Sequence, residues 1–258
     1  MAQLTVISRE QHAAKRWKRY SSYSFAAQDA VAPLVAQELP RACMHLPIGF
    51  VKADNGFQLV AVQGLQPGKN LWVAPDGRWL SGYVPAVYRG FPFVLANTED
   101  GQRVLCVRED SGLVNEVEGE AFFQEDGTPA QPVKEVLSFL EQVSNNARVS
   151  AGLCRRLEEH GLIQPWSVKL RGDDGEREVE GLYRVDEAAL NALPIEALDA
   201  LRQGGVLPIA YCQLLSMQHL QRLGQLASQH AAAASVATPE SGDLDLEFLK
   251  DDGNIRFS

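Results

Sequence analysis

Apolar residues change their spacing about half-way along the chain. In the first half they fall in short runs between turn signals, and beyond residue 131 they recur at helical intervals. Ile48–Lys52 and Phe57–Gln63 flank Asp54, Asn55 and Gly56, which predicts a hairpin. Leu71–Val73, Trp79–Tyr83, Val94–Ala96 and Val104–Val107 continue as strand-like runs. Turn signals separate them at Pro67-Gly68, Pro75-Asp76-Gly77 and Glu99-Asp100-Gly101. Strands this close together predict an antiparallel meander. Ahead of them, Ala30–Met44 reads as a helix, with Pro33 in its first turn and Pro40 ending or kinking it.

In the second half, Val133, Val136, Leu137, Leu140 and Val143 share one helical face. Val149, Leu153 and Leu157 repeat at four-residue spacing before Gly161, a natural stop. Trp166–Leu170 and Val179–Val185 flank a second hairpin tip at Asp173, Asp174 and Gly175. Asp186 suits the cap of a short helix, and Pro194 the start of another that stops at Gly204-Gly205. Leu214, Met217, Leu220, Leu223 and Leu226 place a last helix over Tyr211–Ser228. The expected fold is α+β. An antiparallel β-rich N-terminal half (1–130) precedes a mostly helical C-terminal half (131–230) with one hairpin at 166–185, the two packed as one unit. Ala231–Ala234 begin a linker, and 231–258 form an acidic linker and tail.

Composition narrows the functions. The 258 residues are 45% hydrophobic, enough for a real core, and 22% charged, which is ordinary for a globular chain. A net charge of −9 repels phosphate backbones, so nucleic acid is not the expected partner. No run of about 18 apolar residues occurs, so no spanning helix is expected. The N-terminus carries no secretory h-region, and the expected address is cytoplasmic, with cell-surface association only by a non-classical route. Cys43, Cys106, Cys154 and Cys212 are dispersed and read as reduced, buried small hydrophobes, with no metal site expected.

Motifs for chemistry are few. Gly64–Asn70 has the outline of a phosphate loop, but it is one residue short and carries Asn70 where Ser or Thr must hold magnesium, so it reads as a turn. His12, His45, His160, His219 and His230 share no metal-ligand spacing. His45 reads as a partly buried structural residue, His160 as a helix end and His219 as a surface residue. Arg9, Lys15, Arg16, Lys18 and Arg19, interleaved with aromatics, read as a solvated face, with Ser8 and Gln11 capping a short helix. Glu116, Glu118 and Glu120 read as a solvated acidic loop. Neither catalytic residues nor a cofactor are expected.

The most unusual stretch is Asn70–Phe93, where Trp72, Trp79, Tyr83, Tyr88, Phe91 and Phe93 surround Arg78 and Arg89. Rings with interleaved guanidinium groups form recognition surfaces or large-ring cores. The core reading is favoured, with Arg78, Trp79, Tyr83, Tyr88 and Arg89 as the candidate ligand-binding residues. In the tail, Phe248 and Phe257 stand among six acidic residues and are candidates for docking to a partner.

This stretch also carries a family resemblance. Pro47–Phe50, Gly68–Leu71, Asp76–Trp79, Tyr83–Ala86, Tyr88–Phe93, Glu118–Glu120, Gly181–Glu187 and Leu214–Met217 follow one another in the order of the SapC-like proteins. The chain resembles that family over residues 5–226. The family takes its name from a bacterial surface layer, and members resemble accessory proteins of TonB-dependent outer-membrane receptor systems. The resemblance implies a non-catalytic binding or assembly protein with a protein or peptide partner of the cell envelope. The alternative is an enzyme or accessory subunit that binds a carboxylate-bearing or peptide substrate at the Arg/Tyr stretch. Two departures stand out. Arg89-Gly90 replaces a pair of arginines, and Cys212-Gln213 replaces a histidine-bearing pair.

Overall fold

The computed structural model describes residues 4–237 except Glu99, Asp173 and Asp174, without the side chains of 169–177 and 231–237. The first half runs β1 (Leu4–Val6), α1 (Arg9–His12), β2 (Arg16–Trp17), a 3₁₀ turn (Ser24–Ala26), β3 (Val31–Pro33), a second 3₁₀ turn (Ala36–Glu38) and α2 (Leu39–Ala42). It continues through β4 (Ile48–Ala53), β5 (Gly56–Val62), α3 (Ala86–Arg89), β6 (Phe93–Asn97), β7 (Arg103–Arg108), β8 (Val114–Asn115) and β9 (Glu120–Ala121). The second half holds α4 (Gln131–Glu159), β10 (Ile163–Pro165), β11 (Val168–Gly172), β12 (Gly175–Val179) and β13 (Tyr183–Val185). It ends in α5 (Glu187–Asn191), α6 (Ile195–Gln203), α7 (Leu207–Ser216) and α8 (Leu220–Ala237). The fold is α+β, with antiparallel sheets in the first half and helices in the second.

The central sheet has the order β10-β13-β4-β5-β3 and takes strands from both halves. Its β4–β5 hairpin closes on the expected turn, pairing Ala53 with Gly56. β13 joins β4 by pairing Tyr183 with Phe50. Fully buried Gln213 secures the same seam from α7, accepting from Val185 N at 2.9 Å and donating to Ile48 O at 3.1 Å. One core runs from Leu34 and Phe50 through Trp72 to Leu157, Val185 and Leu223. A smaller core holds Trp17, Phe93, Val107, Phe122 and Val133.

The 29 residues of α4 span about 43 Å at 1.5 Å per residue. That length lets one helix serve both cores. Val133, Val136 and Leu140 pack on the smaller one, and Leu153, Cys154 and Leu157 on the larger. The two apolar patterns assigned to this region are therefore one continuous helix, and Gly161 follows it at φ +65°.

Several local expectations are corrected. Ala30–Met44 is no single helix: Val31–Pro33 pair with Val60–Val62 at the sheet edge, where a proline's missing N–H costs no ladder bond. Pro40 stands in the first turn of α2, so it opens that helix. Leu71–Val73 and Trp79–Tyr83 form no strands and meet only at the bridge of Val73 with Trp79. The last helix is broken at Met217–His219, and α8 continues through Ala231–Ala237, where a linker was expected. Alanine's high helix propensity accounts for that extension. Ser8 precedes α1 without a side-chain cap bond, whereas Asp186 caps α5 by accepting from Ala189 N.

The basic run and the acidic loop, nearly 100 residues apart, are partners. β2 lies between β8 and β9. That register brings Lys15 to Glu109 at 2.9 Å, Lys18 to Glu118, and Arg19 to Glu120 at 3.0 Å. These pairs are mostly solvent-facing and set register more than stability. His45 is exposed, contrary to its expected partial burial. His219 is half-buried, with Nε2 3.0 Å from Cys43 O, and is not the free surface residue expected.

Candidate functional site

The stretch Asn70–Phe93 folds around buried polar atoms. Asn70, 2% exposed, donates from Nδ2 to Ala26 O at 3.0 Å and to Gln63 Oε1 at 2.9 Å, and accepts from Trp72 N at 2.9 Å. Gln63 Oε1 also lies 2.7 Å from the Tyr88 hydroxyl, which is 3.0 Å from Asp29 Oδ2. A second hub is the buried Glu38 carboxylate. Its Oε1 accepts from the Tyr83 hydroxyl at 2.8 Å and from Ala86 N at 2.6 Å, and its Oε2 accepts from Val35 N at 3.0 Å. Burial first, then the neighbouring carboxylate, holds both phenols above their ordinary range, Tyr83 by Glu38 and Tyr88 by Asp29. Both rings serve as bonded struts of the fold.

Beside these hubs the rings reach the surface. Tyr20, Tyr23, Phe25 and Phe91 are all half-buried. Phe25 and Phe91 stack with centroids 3.8 Å apart and planes 2° from parallel. Tyr20 meets Phe25 edge-on at 5.2 Å, and Tyr23 lies 5.4 Å from Trp79. Two recesses flank the stacked pair. One, of 420 Å³, is lined by Tyr20, Ser21, Ser22, Ser24, Asp110, Ser111 and Leu113. The other, of 390 Å³, is lined by Asp29, Val87, Tyr88, Phe93, Val94, Leu95, Leu140, Val143 and Ser144. Phe25, Phe91 and Arg108 line both, so the two recesses lie on either side of one shared wall, and together they are called the cleft below.

Arg108 ends β7, where its backbone N–H donates to Pro92 O at 3.0 Å. Its side-chain Nε is buried and has no hydrogen-bond partner among the described residues. A buried donor of that kind is rare in folded proteins and carries a desolvation cost. Arg89 lies 4.9 Å over Tyr83 and donates to Val84 O. It is near enough to Tyr20 to favour that phenol's ionised form, although burial and Tyr23 outweigh it and Tyr20 is pushed up to about 12. The recesses thus offer a stacked aromatic surface with Arg108 beside it and one carboxylate in each lining, Asp110 in one and Asp29 in the other, which suits an apolar or aromatic group with polar neighbours.

The five candidate residues do not converge on one pocket. Tyr83 and Tyr88 are buried struts of separate hubs. Trp79 is half-buried and donates to Tyr83 O at 2.8 Å, while Arg78 is exposed and paired with Asp76 at 2.6 Å. Of the five, Tyr88 also lines one recess, and Arg89 lines neither. Phe248 and Phe257 lie outside the described residues. Sequence reasoning missed Arg108, Phe25 as a cleft wall, and the hubs Glu38, Gln63 and Asn70. Phe25 and Phe91 had the aromatic density of their segments as a signal, and Arg108 at a strand end had none. At the Arg89-Gly90 departure, a Cβ on Gly90 would lie 2.7 Å from Leu140 Cδ2, so a side chain there requires Leu140 to shift.

Elsewhere, no group of three or more His, Cys, Asp or Glu residues suited to a metal gathers among the described residues. No helix among them is long and apolar enough to cross a membrane. Cys43, Cys106 and Cys154 are buried and Cys212 half-buried. Burial pushes the Cys154 thiol up to about 12, and burial with the adjoining Cys43 thiol pushes Cys212 up to about 11.

Fold and cleft together define an α+β protein with an aromatic, arginine-flanked surface cleft. The chain belongs to the SapC family, whose model matches residues 7–223. No curated protein matches it, and no solved structure does.

Proposed function

We propose that this SapC-family chain is a non-catalytic binding or assembly protein of a bacterial surface-layer or outer-membrane-receptor system. The cleft at Phe25, Phe91 and Arg108 is its contact with a protein or peptide partner of the cell envelope. The chain works from the cytoplasm and meets a surface partner by a non-classical route. The observation that carries the reading is the unpartnered Arg108 Nε beside the stacked phenylalanines. The adjacent Tyr83, Tyr88 and Glu38 are committed to internal hydrogen bonds. Arginine and aromatic side chains are also the groups that dominate interface energetics.

Capture from a bacterial envelope extract tests this reading. The native chain should retain a reproducible set of envelope proteins, reduced about tenfold or more by Arg108→Gln with Phe91→Ser, as for the loss of interface anchors. Equal capture by both forms, or none by the native chain, refutes it.

A further inference from the structure

We propose that an extended peptide of the partner adds as a strand to the free edge of β6, setting an apolar side chain and a carboxylate into the groove between β6 and α4; this deepens the reading of the cleft as a binding site and rests on it. The first support is the hydrogen-bond register. The sheet order β1-β7-β6 makes β6 an edge strand. Arg108 N donates to Pro92 O, and Thr98 N to Gln102 O. With Phe93 opposite Val107 and Asn97 opposite Arg103, those bonds make Val94 and Ala96 the β6 residues that bond to β7. The N–H and C=O of Leu95 and Asn97 therefore point away from β7, and no strand among the described residues meets them. Phe93 N donates to Gly90 O, which leaves its C=O on the same free side. Phe93–Asn97 carry none of the charges or prolines that blunt an edge.

The second support is the shape and charge of the groove. Successive strand residues face opposite ways, so the 390 Å³ recess, lined by Phe93, Val94 and Leu95 together, lies along the β6 edge. Leu140, Val143 and Ser144 of α4 form its opposite wall. Another recess, of 640 Å³, follows it along the same strand and helix, lined by Asn97, Gly101 and Arg103 and by Ser144, Ala147, Arg148 and Ala151. From Leu140 to Ala151 the helix rises about 17 Å, and β6 spans about 14 Å, room for about five extended residues. Arg103 and Arg148 donate to Asn145 Oδ1 at 3.2 and 2.8 Å, and neither has a carboxylate partner among the described residues. No Asp or Glu among the described residues lines their recess. The first recess is mostly apolar and carries Asp29 beside Arg108. The peptide's carboxylate therefore belongs at the Asn97 end and its apolar side chain at the Leu95 end. Residues on one face of an added strand are two positions apart, so the motif is an apolar residue two or four places from Asp or Glu.

The test selects peptides for the full chain from a random heptapeptide library displayed on phage. Peptides with that motif are expected, and Arg103→Glu with Arg148→Glu should turn the selection to Lys- or Arg-bearing ones. A selected peptide, measured by fluorescence anisotropy, should bind Asn97→Pro about tenfold more weakly, because the proline removes an outward N–H without costing a bond to β7. Methylating one set of alternate amides in the peptide should weaken binding about tenfold and methylating the other set should not. That arm leaves the chain itself unaltered. No enriched peptide, enrichment without an acid, an unchanged selection by the double variant, or equal response to the two methylated sets overturns the proposal. Envelope capture separates this from failure of the binding reading. Capture lost in Arg108→Gln with Phe91→Ser but kept in Arg103→Glu with Arg148→Glu rejects strand addition and keeps the cleft. Capture kept in both rejects both.

Discussion

Replacing Glu38 by alanine is expected to lower the unfolding free energy by about 3–5 kcal/mol, the range for breaking a buried, hydrogen-bonded charge site. Glu38 is 7% exposed and accepts from Tyr83, Ala86 and Val35. Removing the carboxylate strands two backbone N–H groups and a phenolic hydroxyl where water is excluded, and each stranded donor costs about 1–3 kcal/mol. It also uncouples the 3₁₀ turn Ala36–Glu38 from the start of α3. Urea denaturation should show a lower midpoint with an unchanged slope, because the native surface stays the same. Glu38→Gln should fall between the two, since its amide nitrogen must face one of the three donors. A loss below about 0.5 kcal/mol, typical of surface sites, would mean that Glu38 is not a hub.

Asn70→Asp is expected to be as damaging at neutral pH, despite its identical shape. Asn70 Nδ2 faces two acceptors, Ala26 O and Gln63 Oε1. A carboxylate oxygen there sets acceptor against acceptor in a buried site, at an expected cost of about 3–5 kcal/mol. Protonation restores one donor, so the introduced acid is held neutral in the fold and its folded pKa lies above the unfolded value near 4. Stability is then fully present below the unfolded pKa and lost as pH rises through the folded one. Unfolding midpoints of the variant and the native chain should lie closer at about pH 5 than at about pH 8. A gap independent of pH contradicts the assigned bonds.

Local signals made much of the fold legible. The α4 stripe from Val133 to Leu157, the turn at Asp54–Gly56 and the Asp186 cap depend on residues within a turn or two of each other, and the structure has them. What was hidden depends on distant partners. Val31–Pro33 form a strand because β5 offers an edge, and Tyr183 meets Phe50 across 133 positions of sequence. Nothing near Asn70 announces that its side chain closes three hydrogen bonds. Glu38 looked like one more position on a helix, yet its carboxylate is buried. The same limit applies to the cleft. Phe91 belonged to a visibly unusual segment, while Arg108 acquires meaning only from what it fails to touch.

The central claim divides the aromatic region into buried struts that hold the fold and one cleft that is free to bind. Tyr88→Phe and Arg108→Gln, compared in thermal unfolding and in envelope capture, test it most directly. Tyr88→Phe removes a hydroxyl shared by Gln63 and Asp29. It should lower Tm by about 2–6 °C and leave capture intact, as expected for one or two lost buried hydrogen bonds. Arg108→Gln should keep Tm and lose capture. The reverse pattern, with Tyr88→Phe abolishing capture and Arg108→Gln unfolding the chain, would contradict it.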